Sequence, residues 1–310
     1  MQNEKILGHS PVMLEEVLAI LAPGDGELLL DATFGAGGYT KALLDANDSC
    51  RVVALDRDEN VREFARDVKN TYGDRFEFHN ILFSEASSLL GGGSLAGLVL
   101  DLGVSSMQLE DGRRGFSFAR EASLLMTMGK NSLTAYDVVN GFGEEELASL
   151  IYSYGEEPRS RVIARRIVSR RKLKTLETTL ELATLVRGCF RGRGKIDNAT
   201  RVFQAIRIFV NDELEELRKI LRDSLDLLGK GGRLVAVSFN SLEDRIVKRF
   251  FTENGNLRPR KNNKYGPSPR ESEVVANFSV PLRKPLLPSE AEVRRNPRAR
   301  SAKLRWGLRC

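Results

Sequence analysis

Histidine is nearly absent: His9 and His79 are the only two in 310 residues. That argues against a histidine metal site and against a Ser-His-Asp triad, so no metal is expected. Cysteine is scarce as well. Cys50, Cys189 and Cys310 lie far apart with no CxxC spacing, which supports neither a disulfide framework nor a zinc ribbon and fits a reducing cytoplasm. No apolar run approaches the roughly 20 residues of a membrane helix, so no membrane partner is expected. The start of the chain carries Glu15 and Glu16 where an export signal needs an apolar stretch, and a cytoplasmic location follows as the expectation. What is present is the composition of a folded protein. Hydrophobic residues at 41% and charged residues at 29% exclude disorder over most of the length. The net charge of +6 points to an anionic partner but is modest, so its distribution says more.

The first hundred residues alternate strand and helix signals. Glu27 to Ala32, Arg51 to Asp56, Arg75 to His79 and Leu95 to Leu102 read as strands. Stretches around Tyr39 to Ala46 and Asn60 to Asn70 read as helices. Strands separated by helices imply βαβ units and a parallel, doubly wound sheet. From about Ser105 to Asn211 the pattern is helical, with no convincing buried strand. A long helical stretch from Ala205 to Leu228 then leads into a further strand, Arg233 to Phe239. The sheet thus resumes after a helical insertion of plausible domain size. Arg258 to Arg270 reads as a basic loop, and the tail from Arg283 is rich in arginine and proline.

The first strand runs into Thr33-Phe34-Gly35-Ala36-Gly37-Gly38. Glycines at a strand-to-helix turn let the backbone bend sharply and approach a ligand. Asp56 closes the next strand, where a carboxylate can accept both hydroxyls of a ribose. NAD and S-adenosylmethionine both carry that ribose, so the turn alone does not separate them. It is neither G-x-G-x-x-G nor a P-loop, which disfavours a nucleoside triphosphate. Phe83, after the third strand, is placed either to stack on adenine or to fill the core. Asp101 ends the fourth strand at the ligand edge of such a sheet.

Several stretches then carry a resemblance. They are HSPVML from His9, DATFGAGGYT from Asp31, DLGVSSMQL from Asp101, RGFSF from Arg114 and YGEE from Tyr154. They continue with ATRVFQAIRIFVNDEL from Ala199, SFNSLEDRIVK from Ser238 and NPRARSAKLR from Asn296. Together they span almost the whole chain, which resembles the bacterial RsmH (MraW) family, methyltransferases acting on N4 of a cytidine in 16S ribosomal RNA at the decoding centre. The resemblance implies an α/β fold: a class I (Rossmann-like) methyltransferase core, residues 1–105 plus 212–310, with an inserted all-helical substrate-recognition domain, residues 106–211. It implies S-adenosylmethionine as methyl donor and 16S rRNA or the 30S subunit as partner. Carried over by position, the cofactor contacts are Gly37, Gly38, Tyr39, Asp56, Phe83, Asp101 and Gln108. The chain departs from the usual pattern at Leu125, Thr127, Asp197-Asn198 and Asn240, in segments expected near the RNA.

Methyl transfer from a sulfonium is an in-line displacement, for which an enzyme supplies alignment and a suitable electrostatic environment. The cytidine amine is a poor nucleophile, and an acceptor for one of its hydrogens favours attack. Asp101 is the first candidate for that role and Asn240 the second; the alternative for Asp101 is a cofactor contact only. The RNA face is expected on the insertion and the tail. Arg113, Arg114 and Phe116 form a basic loop with aromatics, in which Phe118 reads as core. Arg159, Arg161, Arg165, Arg166, Arg170, Arg171, Lys172 and Lys174 crowd one helix and its end with no acid between them, a pattern that favours phosphate. Arg201 opens a polar face shared with Gln204, Arg207 and Asn211. Ser241 with Asp244 resembles a capping box. Two other functions are compatible with parts of the chain: an impaired RNA-binding assembly factor, motivated by the departures, and a dinucleotide-dependent oxidoreductase, allowed by the turn alone.

Overall fold

The computed structural model describes residues 11–192, 197–256 and 276–310. The basic loop expected at 258–270 lies outside them, as do His9 and Ser10. In chain order the elements begin with α1 (Leu14–Leu21), β1 (Leu28–Asp31), α2 (Gly38–Ala46), β2 (Arg51–Leu55), α3 (Arg62–Tyr72), β3 (Phe76–His79), α4 (Ala86–Leu89) and β4 (Leu95–Asp101). The helices α5 (Ser106–Glu110), α6 (Ala135–Gly141), α7 (Glu144–Gly155), α8 (Ser160–Arg171), α9 (Thr179–Arg187), α10 (Thr200–Asn211) and α11 (Glu213–Leu227) come next. The chain closes with β5 (Leu228–Ser238), α12 (Ser241–Asn254), β6 (Phe278–Ser279), α13 (Glu290–Arg295) and β7 (Lys303–Arg309).

Two compact units result, Met1–Gly103 with Leu214–Cys310, and Val104–Glu213. The first is an α/β unit built on one sheet of order β3-β2-β1-β4-β5-β7-β6. β1 to β5 are parallel, and the residues of β1, β2 and β4 are mostly buried because helices cover both faces, whereas edge strand β3 buries only Phe76. β1 lies between β2 and β4, so successive crossovers leave it in opposite directions. The carboxyl ends of β1 and β4 therefore flank a crevice, where α/β sheets take their ligands.

The sheet is mixed rather than purely parallel. β7 runs antiparallel to β5, pairing Arg233 with Leu308 through Ser238 with Lys303, and β6 runs antiparallel to β7. An arginine-rich tail does not read as a strand. Here Leu304 is buried in the sheet while Arg305 reaches Asp244 (Nε to Oδ1, 2.7 Å) and Arg309 reaches the Leu225 carbonyl (3.1 Å). The long helix expected from Ala205 to Leu228 is divided at Asp212, which sits in the left-handed region (φ 51°), a conformation short polar side chains tolerate. β5 begins at Leu228, so Gly229, Gly231 and Gly232 lie inside the strand, opposite an irregularity at Leu95 and Gly97.

The second unit is helical. Its core joins Val138, Ile151, Ile163, Ile167, Val202 and Ile206, among others. The only β pairing among its described residues is the isolated bridge of Ser123 with Thr178. Fully buried Asn211 fastens an irregular loop to α10. Its Nδ2 donates to the Met126 carbonyl (2.7 Å), and its Oδ1 accepts from Met128 N–H (2.8 Å) and Asn131 Nδ2 (2.9 Å). Among the described residues no helix is long and apolar enough to cross a membrane.

Candidate active site

Phe34 shapes the glycine turn. Its ring is buried against Phe76 and Phe78 (centroids 5.7 and 5.2 Å). Its N–H donates to the Leu55 carbonyl (2.9 Å), and its carbonyl accepts the Gly37 N–H (2.8 Å). Gly37 then caps α2 in the left-handed region (φ 77°). A Cβ on Gly37 would lie 2.8 Å from the Phe34 ring, and one on Gly38 would lie 2.3 Å from Pro11. Both glycines are therefore needed for packing. Asp56, just past β2, ties the turn down. Its Oδ2 accepts Gly35 N–H and its Oδ1 accepts Asp58 N–H, both at 2.8 Å. Each oxygen keeps a second lone pair, so a ribose diol remains within its capacity.

Asp31 and Thr33 join the site, although the spacing of the sequence singles out neither. Fully buried Asp31 accepts the Thr40 hydroxyl (2.7 Å) and Thr33 N–H (3.2 Å). The Thr33 hydroxyl oxygen accepts the backbone N–H of Asp101 (2.7 Å), which locks the ends of β1 and β4 together. The Oδ1 of Asp101 is buried without a hydrogen-bond partner. Burial, and after it the nearby Asp31 and Glu243, raise the Asp101 carboxyl from 3.8 to about 8. Burial likewise raises Asp31 and Asp56 to about 6, against the pull of their hydrogen bonds. The crevice is thus a nest of carboxyl groups that resist ionising together.

These shifts have a measurable sign. Between the ordinary 3.8 and the raised values, the folded state binds protons that the unfolded state has released. Stability of the cofactor-free protein should therefore fall as pH rises from about 4 to about 8. Above about pH 6 the fall belongs to Asp101, so Asp101→Asn should flatten that part of the curve. Thermal melts of both proteins across this range check it; a parallel pair of curves would remove Asp101 as the titrating group.

The other expected cofactor residues divide. Tyr39 is buried, and its hydroxyl donates to the Val12 carbonyl, so its ring braces the turn. Phe83 is partly buried against the core of the α/β unit. Gln108 belongs to the helical unit. Its Oε1 accepts Ser105 N–H (3.0 Å), and its N–H donates to Ser105 Oγ (3.2 Å), forming a capping box for α5.

Asn240 takes a different part from the one expected. It is the N-cap of α12, with Oδ1 accepting Leu242 N–H and Glu243 N–H at 3.0 Å each. Both lone pairs of that oxygen are used, so it does not accept an amine hydrogen in this arrangement. The capping pair is Asn240 with Glu243, one residue before the Ser241–Asp244 pair expected. Asp244 is held instead by Lys303 (3.1 Å) and Arg305 (2.7 Å).

In the helical unit many of the expected RNA contacts are engaged at home. Phe116 is buried with the Arg114 guanidinium 5.4 Å from its ring centroid, so it offers no open stacking face. Arg114 also donates to the Thr127 carbonyl (2.8 Å). Phe118 stacks edge-on with Phe203 at 4.8 Å, as core. Arg166 and Arg170 donate to the carbonyls of Gly188 (2.9 Å) and Lys174 (2.8 Å). Arg171 donates to Val139 and Phe142 carbonyls (2.7 and 2.5 Å), closing the end of α6. Arg201 and Gln204 fasten the carbonyls of Glu156 (3.3 Å) and Tyr154 (3.2 Å). Arg113 pairs with Asp111 and Arg165 with Glu144, both on exposed side chains. Arg161 and Lys172 are exposed and have no hydrogen bond or ion pair among the described residues. Of the departures, Asn198 donates to the Gly192 carbonyl (3.0 Å) and Leu125 is exposed.

Comparison with known proteins adds independent support. A family model described as the MraW methylase family matches residues 6–309. Ribosomal RNA small subunit methyltransferase H of Rickettsia felis is 50% identical over 298 residues, covering 96% of this chain and 97% of that one. The protein of the same name from a Wolbachia of Drosophila simulans is 47% identical over 302 residues, with 96% and 97% covered. Among solved structures, a putative rRNA methylase from Clostridium thermocellum aligns over 97% of both chains at 9% identity and a TM-score of 0.45. With a family match over almost the full length and relatives near half identity, the chain belongs to the MraW methylase family, a family of S-adenosylmethionine-dependent methyltransferases.

Proposed function

We propose that this protein transfers a methyl group from S-adenosylmethionine to N4 of a cytidine in 16S rRNA. The observation that carries the reading is the buried, unpartnered Oδ1 of Asp101 beside Asp31 and Glu243. No cation of the protein is among the groups that shift Asp101. A nest of that charge fits a ligand that brings positive charge, as a sulfonium with an ammonium group does, and opposes the pyrophosphate of a dinucleotide. That favours a methyl donor over the oxidoreductase alternative. When bound, the donor supplies an electrophilic methyl group on a good leaving group.

The residues of the chain do the rest. Asp56 holds the ribose hydroxyls through its remaining lone pairs. The turn at Gly37 and Gly38 brings backbone close to the cofactor. Asp101 accepts a hydrogen of the cytidine amine and orients its lone pair for in-line attack. Methylation obliges that nitrogen to give up a proton, and Oδ1 of Asp101, whose proton affinity burial has raised, is the acceptor the site provides. A stacked base cannot reach such a crevice, so the cytidine enters unstacked. The helical unit serves substrate recognition, with Arg161, Arg165 and Lys172 the cations of its basic helix least committed to the fold. The names of the relatives supply the ribosomal substrate.

The test is methyl transfer from labelled S-adenosylmethionine to 30S subunits of a strain lacking this gene, followed by nucleoside analysis. N4-methylcytidine at a single site is expected. Label in 5-methylcytidine would overturn the N4 assignment, and no label in RNA would favour the assembly-factor alternative.

A further inference from the structure

The tail of the α/β unit holds arginines that the fold does not use. Arg294, Arg295 and Arg300 are exposed within seven residues. Arg295 and Arg300 have no hydrogen bond or ion pair among the described residues. Arg294 reaches only an exposed Glu290, at 3.8 Å. The arginines of α8 are different, since most of them close carbonyls of their own unit.

The backbone carrying these cations is fixed. Ser289 Oγ accepts Glu292 N–H (3.1 Å), and Asn296 Oδ1 accepts Arg298 N–H (3.2 Å). Ala299 and Ala302 are buried, and Leu286 exchanges backbone hydrogen bonds with Leu304 (2.9 and 3.0 Å). Little backbone entropy therefore remains to be lost on binding.

The segment also has a defined place beside the crevice. On one side Glu292 Oε1 accepts Met13 N–H (2.6 Å); the adjacent Val12 carbonyl accepts the Tyr39 hydroxyl, and Pro11 packs on Gly38. On the other side Lys303 and Arg305 hold Asp244 in the first turn of α12. Burial, then Asp101, Asp31 and Glu292, push the Tyr39 hydroxyl well above its ordinary value, so the segment's Glu292 and two crevice acids lie near the same hydroxyl. Carboxylates line the crevice, and the exposed arginines belong to the segment that connects these two anchor points. That pattern repels a polyanionic backbone from the pocket while holding it just outside, so that a base and not a phosphate enters.

We propose that Arg294, Arg295 and Arg300 form an RNA-phosphate clamp at the rim of the active site, gripping the backbone that flanks the target nucleotide. The proposal rests on the reading of the protein as an rRNA methyltransferase.

The test compares the wild type with a triple Arg→Gln variant at 294, 295 and 300, and with a triple Arg→Lys variant that keeps the charge. The Gln variant should raise KM for 30S subunits by roughly tenfold or more. It should also lower the slope of log affinity against log salt by roughly 2, about 0.7–0.9 for each phosphate no longer neutralised. The rate at saturating RNA and the calorimetric affinity for S-adenosylmethionine should stay close to wild type, and the Lys variant should recover most of the KM. Filter binding of a 16S RNA fragment reads the clamp without turnover. If wild-type protein fails to methylate 30S subunits, the functional reading fails, and filter binding still judges the arginines. Unchanged RNA affinity and salt slope in the Gln variant would overturn the clamp.

Discussion

Replacing Asp101 with asparagine should slow methyl transfer roughly 10²–10⁴-fold at saturating cofactor, the range a positioned proton acceptor contributes. The substitution keeps the size of the side chain and an acceptor oxygen, and removes the charge. The backbone N–H of Asp101 bonds to Thr33 Oγ1 and is untouched, so the join between β1 and β4 survives. An amide oxygen still orients the amine but takes no proton from it. The missing interaction acts mainly in the transition state, so kcat falls far more than cofactor affinity. Single-turnover methylation of 30S subunits, beside calorimetric titration of S-adenosylmethionine, separates the two. A near wild-type rate at saturating cofactor would leave Asp101 as a cofactor contact only and pass the amine to another group.

Removing Asp56 should do the opposite. Asp56→Ala should weaken S-adenosylmethionine binding by about 2–3 kcal/mol, the value of a pair of charge-assisted hydrogen bonds. That corresponds to roughly 30–150-fold in Kd. The structure adds a second cost, because Gly35 N–H and Asp58 N–H both lose their acceptor. The melting temperature should fall with the affinity. Asp56→Asn, which keeps one acceptor oxygen, should recover part of both. Circular dichroism should show the fold retained. Equal affinity for wild type and Asp56→Ala in calorimetry would dismiss Asp56 as the ribose ligand.

The two unit cores and the crevice differ in how far they could be read from residue order. The runs LLLD, RVVAL and LAGLVLD are buried on both faces and show as continuous apolar strands, so β1, β2 and β4 were legible. The tail strand KLRWGLR was not, because its arginines mask the alternation. Its place between β5 and β6 comes from pairing at a sequence distance of about seventy residues. The cap on α12 was legible only to within a residue, since Asn240-Ser241-Leu242-Glu243-Asp244 contains two overlapping capping patterns. Backbone geometry chose the first.

By itself the sequence determined the class of fold, the glycine turn and the acids at the ends of β2 and β4. These follow from local periodicity and from the conformations that glycine alone permits. Only the tertiary structure decided which charged groups are free and which are spent. Packing turned Arg166, Arg170 and Arg171 towards carbonyls of their own unit while leaving Arg295 and Arg300 open. Packing also brought Asp31, Asp101 and Glu243, far apart in the chain, close enough for their fields to add. The physical reason is that desolvation and Coulomb interaction depend on distance in space and on exclusion of water. Sequence spacing specifies neither until the sheet is assembled.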